Sequence, residues 1–66
     1  MNMQEAIAAV TEGRDLTQGE MRSVMKIIMT GDATQSQIGG FLVGLRMKGE
    51  TVDEITGAVE TMRALA

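Results

Sequence analysis

Three junctions divide this 66-residue chain into four short segments, and each junction places a threonine shortly after a glycine. The three pairs are Gly13 with Thr17, Gly31 with Thr34, and Gly49 with Thr51. A glycine can end a helix because it adopts backbone conformations that a Cβ atom disfavours. A threonine followed three residues later by glutamine or glutamate can begin the next helix as a capping box. The junctions therefore predict an all-α fold, in which four short helices joined by tight turns form a small bundle.

The same capping signals give the expected bounds of the helices. The capping pairs are Thr17–Glu20, Thr34–Gln37 and Thr51–Glu54, and Asn2 is the expected N-cap of the first helix. We predict helices over residues 3–12, 18–30, 35–48 and 52–65, within one helical domain that spans residues 1–66. Neither a proline nor an alternating strand pattern interrupts these segments.

Apolar residues recur at helical spacing in each segment and predict the faces that form the core. The predicted core positions are Met3, Ala6, Ile7 and Val10 in the first helix, Met21, Val24, Met25 and Ile28 in the second, Ile38, Phe41, Leu42 and Leu45 in the third, and Val52, Ile55, Ala58, Val59, Met62, Leu65 and Ala66 in the fourth. Leu16, before the second helix, is expected to form a hydrophobic staple with Met21.

The chain carries more large apolar side chains than so small a bundle is expected to bury. It contains seven methionines, and four of them, together with one valine, are hard to place inside the core. These residues are Met1, Met3, Met29, Met47 and Val43. Methionine often lines adaptable partner surfaces. We therefore expect self-association into a homo-oligomer, with the first and third helices as the candidate contact.

Composition excludes several classes of function. The chain has no cysteine and no histidine, which removes thiolate metal sites and the usual general base at neutral pH. A net charge of −3 and one aromatic residue, Phe41, argue against nucleic-acid binding. No segment resembles a membrane span or a signal peptide. We expect a soluble, cytoplasmic protein, with no catalytic, cofactor-binding or metal-binding residue in this segment.

A few polar or small residues have both a functional and a structural interpretation. Gly39, Gly40 and Gly44 lie within a predicted helix with no strand before them, so we favour close helix packing over a phosphate-binding loop. Arg46 and Lys48 could bind an anion, but cations are also favoured at the end of a helix. Asp53 and Glu54 are adjacent acids that point in different directions, and we interpret them as first-turn residues rather than a catalytic pair. None of these positions predicts a catalytic site.

One long run resembles a known enzyme family. Residues 37–55 read QIGGFLVGLRMKGETVDEI, and LRMKGET at 45–51 is the most specific part. Together with Asp15-Leu-Thr, Glu20-Met, Ile28-Met-Thr-Gly, Gly57-Ala-Val and Met62-Arg, this run resembles the amino-terminal helical segment of anthranilate phosphoribosyltransferase, a glycosyltransferase of family 3. The resemblance covers nearly the whole chain. It departs from the family at Gly40, where alanine is usual, and at Gly19, in a first turn that is usually acidic.

The resemblance implies that the parent protein is a tryptophan-biosynthetic enzyme, which transfers phosphoribosyl from phosphoribosyl pyrophosphate (PRPP) to anthranilate with magnesium. In that family the diphosphate loop, the magnesium ligands and the anthranilate contacts lie on later parts of a longer chain. The resemblance therefore implies a domain for dimerisation and for one wall of the cleft, which also contacts the rest of the parent chain. We expect no turnover from these 66 residues alone. The alternatives are a free-standing interaction module and the same domain of a pyrimidine nucleoside phosphorylase.

Overall fold

The computed structural model describes residues 1–65, which form four α-helices and no strand. The helices are α1 (Met3–Thr11), α2 (Gln18–Met29), α3 (Gln35–Lys48) and α4 (Val52–Leu65). The all-α prediction is confirmed. The first two helices end one residue earlier than predicted, because Glu12 and Thr30 are the C-caps of α1 and α2. Helix ends commonly differ by a residue or two between assignments.

Local capping explains where each helix begins and ends. All three predicted capping boxes are present, and Asn2 with Glu5 forms a fourth at the start of α1. Each box satisfies backbone N–H groups that have no partner within the helix. The glycine of every junction has a positive φ, from 80° at Gly13 to 87° at Gly49. The junction residues therefore supply local signals that stop one helix and start the next.

The helices pack as two pairs. Helix α1 lies against α3 and α2 lies against α4, whereas α1 and α2 share a smaller contact. One core joins the pairs, and its buried members come from α1, α2, α3 and the α1–α2 linker. They are Met3, Ala6, Ala9, Val10, Leu16, Met21, Val24, Phe41 and Leu45. Leu16 and Met21 share this core, as expected of the staple residues.

Each pair depends on one glycine at its point of closest approach. A Cβ atom on Gly44 would lie 2.6 Å from Val10 Cγ2, and one on Gly57 would lie 2.6 Å from the carbonyl oxygen of Gln18. The close packing predicted around the α3 glycines is thus confirmed at Gly44. Gly40, one turn earlier, also faces α1, because a Cβ there would lie 3.9 Å from Ile7 Cδ1. A Cβ on Gly39 would meet nothing within 4 Å, so that glycine does not take part in the close packing. The role of Gly57 was not predicted.

The predicted core face of α4 is wrong at most of its large side chains, although the partly buried Ala58 does pack against the core. Four of its positions are exposed instead, namely Val52 (80%), Ile55 (53%), Met62 (42%) and Leu65 (45%). The residues that α4 buries are Glu54, Gly57 and Thr61. Because α2 approaches α4 closely at Gly57, small side chains are needed at that part of the face, and the large apolar side chains lie to one side of it. The predicted core position at Ala66 lies outside the described residues.

Two other burial predictions need correction. Leu42 is 53% exposed rather than part of the core. Met3 is only 4% exposed, which agrees with its place in the apolar stripe of the first helix and contradicts its inclusion among the methionines that are hard to place. The excess of apolar surface is confirmed elsewhere, because Met29, Val43 and Met47 are all exposed.

Candidate functional site

An apolar groove runs between α3 and α4. It has a volume of about 240 Å³, and most of its lining residues are apolar. Its lining residues are Met21, Met25, Phe41, Leu42, Leu45, Glu50, Glu54, Ile55, Ala58, Val59 and Met62. The exposed face of α4 forms one side, and Leu42 contributes from α3. An apolar concave surface of this kind is typical of a site where another apolar element packs.

A second apolar surface lies on the outer face of α3. Val43 is 60% exposed and Met47 is 83% exposed. Gly39 lies one turn before Val43 on the same helical face, and its position is open to solvent. This outer face of α3 is separate from the groove, since neither Val43 nor Met47 lines it. The described chain therefore presents two apolar surfaces in different directions.

One end of the groove contains a cluster of charged residues that joins three segments. The Glu54 carboxylate accepts hydrogen bonds from the backbone N–H of Leu16 (2.6 Å), from Lys48 Nζ (2.7 Å) and from the backbone N–H of Thr51 (2.8 Å). Lys48 Nζ also donates to Asp15 Oδ1 at 3.0 Å. The side chains of Lys48 and Glu54 are 3% and 0% exposed. We call these five residues the junction cluster.

The surroundings of Glu54 favour its ionised form. Burial acts to raise the pKa of Glu54, but the hydrogen bonds from Leu16, Lys48 and Thr51 and the charge of Lys48 outweigh it, so the net pKa is lowered. Burial likewise acts to lower the pKa of Lys48, and its contacts with Glu54 and Asp15 reverse the direction and raise it. The two groups therefore stabilise each other's charged forms. A buried charge is tolerated only when it is paired in this way.

Glu20 occupies the equivalent position at the start of α2 and provides a comparison. It makes the same capping box with Thr17, with bonds of 3.0 and 3.1 Å. Its charged partner is Arg14, at 3.4 Å, and both side chains are partly exposed. Glu20 therefore caps a helix and pairs on the surface, whereas Glu54 caps a helix and also bonds the linker and α3.

The structure separates the polar residues that the sequence singled out. Asp53 is exposed and accepts a bond from Gln18 Nε2 at 3.1 Å, so the two adjacent acids do point apart. Lys48 is paired with the carboxylates of Asp15 and Glu54 within the chain, so the structure does not support its use as a site for an external anion. The sequence interpretation missed that Glu54 binds across the fold. The capping box was visible, but no local signal indicates which capping residue becomes buried.

Residues 1–65 contain no group of three or more acidic, histidine or cysteine side chains arranged to hold a metal ion. Within the same residues, no helix combines the length and apolar composition needed to cross a bilayer. The longest described helices have 14 residues, whereas a spanning helix needs about 20.

Comparison with known proteins relates the whole chain to one family. The profile of the family described as "Glycosyl transferase family, helical bundle domain" matches residues 4–66. Among curated proteins, an anthranilate phosphoribosyltransferase of Alkalilimnicola ehrlichii is 68% identical over the full chain, which covers 20% of that relative. The enzymes of the same name from a Marinomonas species and from Pseudomonas savastanoi are 64% and 58% identical, again over the full chain and 19% of each relative. The chain thus spans about a fifth of the length of these relatives.

Proposed function

The chain belongs to the helical bundle domain family of the glycosyl transferases, and from this we propose that it is the amino-terminal helical domain of an anthranilate phosphoribosyltransferase. The observation that carries the proposal is 68% identity across all 66 residues to a protein of that name. The name of the relatives also favours the transferase over the nucleoside phosphorylase alternative. The activity proposed for the parent protein is transfer of phosphoribosyl from PRPP to anthranilate, in the cytoplasm.

The role proposed for these residues is structural. We propose no binding of magnesium or PRPP for this segment, because the resemblance places those contacts on later parts of the parent chain. Magnesium and PRPP are proposed for the parent enzyme, on other parts of its chain. The domain would support dimerisation and form one wall of the cleft.

We propose that a later part of the parent chain packs into the α3–α4 groove. The relatives have about four-fifths of their length outside the matched region, which is ample chain to supply an apolar helix. The groove offers such a helix Ile55 and Leu42, each 53% exposed. Burial stabilises by about 25 cal/mol for each Å² of apolar surface removed from water.

A second copy of the domain is the proposed partner for the outer face of α3. Val43 and Met47 are exposed on this face, and Ala8 of the neighbouring α1 is also exposed. Gly39 leaves the α3 backbone accessible there, so a partner helix could approach closely. The contact would therefore involve α1 and α3, away from the groove.

A chimaera tests the proposed function. Residues 1–66 would replace the matching segment of the Alkalilimnicola ehrlichii enzyme, and the loss of anthranilate in the presence of PRPP and magnesium would be measured. We expect activity within about tenfold of the parent enzyme, which corresponds to a change of no more than about 1.4 kcal/mol in the transition-state barrier. The 66-residue chain alone is expected to show none.

A matched control uses the same chimaera with Gly57→Leu, which blocks the approach of α2 to α4. This variant should lose activity together with its folded structure. A folded but inactive chimaera would contradict the assignment to this enzyme. Turnover by the isolated chain would contradict the purely structural role.

A further inference from the structure

The junction cluster is the place where the two helix pairs are bonded to each other by charged groups. Lys48 belongs to the α1/α3 pair and Glu54 to the α2/α4 pair. Leu16, whose N–H also bonds Glu54, lies in the linker that leads from α1 to α2. The chain crosses between the pairs three times, in the α1–α2, α2–α3 and α3–α4 connections. The first and third of these connections meet at the Glu54 carboxylate, through Leu16 and Thr51.

The remaining contact between the pairs is largely apolar. The shared core combines Val10, Phe41 and Leu45 from one pair with Met21 and Val24 from the other. Apolar burial holds surfaces together but is non-directional. Charge-assisted hydrogen bonds have narrow preferences in distance and angle. The core can therefore keep the pairs associated, and the directional bonds at Glu54 can restrict the angle between them.

We propose that ionised Glu54 is a positioning residue that fixes the angle between the α1/α3 and α2/α4 pairs, and thereby the width of the α3–α4 groove. The groove follows this angle because one of its walls comes from each pair, and Glu54 lies at one end of it. With Glu54 neutral, Lys48 is left buried beside a weaker acceptor, and the bonds to Leu16 and Lys48 weaken together. The helices remain formed, because their caps and i→i+4 bonds are local.

The proposal has a defined pH dependence. The charged groups facing Glu54 are Lys48 from α3 and, through Lys48, Asp15 from the linker, and Glu50 lines the same groove. The pKa of Glu54 is lowered by its partners, so the fixed angle is fully present above the ordinary glutamate value of about 4.3. It is lost as the pH falls through the lower value of the folded protein.

A distance measurement tests the inference. The chain has no cysteine, so Ser36→Cys in α3 and Ala64→Cys in α4 give two unique spin-label sites, both exposed. Electron–electron double resonance, with unlabelled chain added in excess to suppress distances between copies, reports the separation of the helix ends. A 14-residue helix is about 21 Å long. A 15° change in angle would therefore move its far end by roughly 5 Å.

We expect Glu54→Gln and Lys48→Gln to broaden or shift this distance by about 5 Å while helical circular dichroism is retained. The unsubstituted labelled chain should show the same change only well below the ordinary glutamate value of about 4.3, because the pKa of Glu54 is lowered. Glu20→Gln should show no change at neutral pH. A Glu54→Gln distribution no broader than that of Glu20→Gln would overturn the proposal. If Glu54→Gln loses its helices, Lys48→Gln decides the question. If Lys48→Gln either leaves the distance unchanged or also loses its helices, Glu54 does not set an angle between separately folded pairs.

Discussion

At the scale of single residues, identical local motifs have different roles in this chain. Glu20 and Glu54 each close a capping box with a threonine three residues earlier. The hydrogen bond to Thr17 is the main cause that lowers the pKa of Glu20, which stays partly exposed. Glu54 has in addition a buried lysine and a distant backbone N–H as partners. The motif thus fixes the start of a helix, and the surroundings decide whether its acid also joins distant segments.

The glycines make a residue-scale prediction. Gly57→Ala should destabilise the fold by about 1–3 kcal/mol, because the new Cβ would meet a backbone carbonyl that cannot move cheaply. Gly39→Ala should stabilise it by about 0.5–1 kcal/mol, since that position is open and alanine favours a helix. Urea unfolding of both variants at low protein concentration measures the two effects. Changes of the same sign at both sites would contradict the packing described here.

At the scale of elements, α4 buries its small residues and exposes its large apolar ones. Thr61 is 7% exposed, and its hydroxyl donates to the Gly57 carbonyl at 2.9 Å, so its polar group is satisfied within the helix. Val52 and Ile55 face solvent or the groove instead. Adjacent residues are about 100° apart around a helix. A rotation of about 100° therefore exchanges one face for the other, and hydrophobic spacing alone selected the wrong one.

This orientation of α4 can be tested by two substitutions with opposite expectations. Thr61→Leu makes the helix more apolar, yet it should destabilise the fold by about 1–3 kcal/mol because the site is closely packed against α2. Val52→Gln makes the helix less apolar, yet it should change stability by no more than about 0.5 kcal/mol. Thermal or urea unfolding decides between them. If Val52→Gln destabilised the fold more than Thr61→Leu, the result would support the face predicted from the sequence.

At the scale of the whole molecule, the chain is compact but incompletely covered. Its accessible surface of 4131 Å² is close to the roughly 4,100 Å² expected of a globular chain of this mass. The area of the surface is therefore ordinary, and what is unusual is the number of large apolar side chains exposed on it. Eight large hydrophobic side chains are exposed among the described residues, including Val43 and Met47 on α3 and Val52 on α4.

Self-association through the outer face of α3 is the prediction at this scale. Sedimentation should detect a dimer at high micromolar concentration, and Val43→Lys should weaken it at least tenfold, because an unpaired charge is costly to bury. Val52→Lys is the matched control, since Val52 is still more exposed but lies on α4. A strictly monomeric chain would contradict the prediction. Equal weakening by both substitutions would place the contact elsewhere.

The sequence by itself determined the number of helices, their bounds within a residue, their caps and the excess of apolar side chains. The helices and their caps depend on residues three or four positions apart, and such local interactions form independently of the tertiary fold. Only the tertiary structure decided that Gly57 rather than Gly39 admits a neighbouring helix, that Glu54 is buried against Lys48, and that the apolar face of α4 borders a groove. Those outcomes depend on segments far apart in the chain, such as Leu16 with Glu54, and local spacing carries no information about which segments meet.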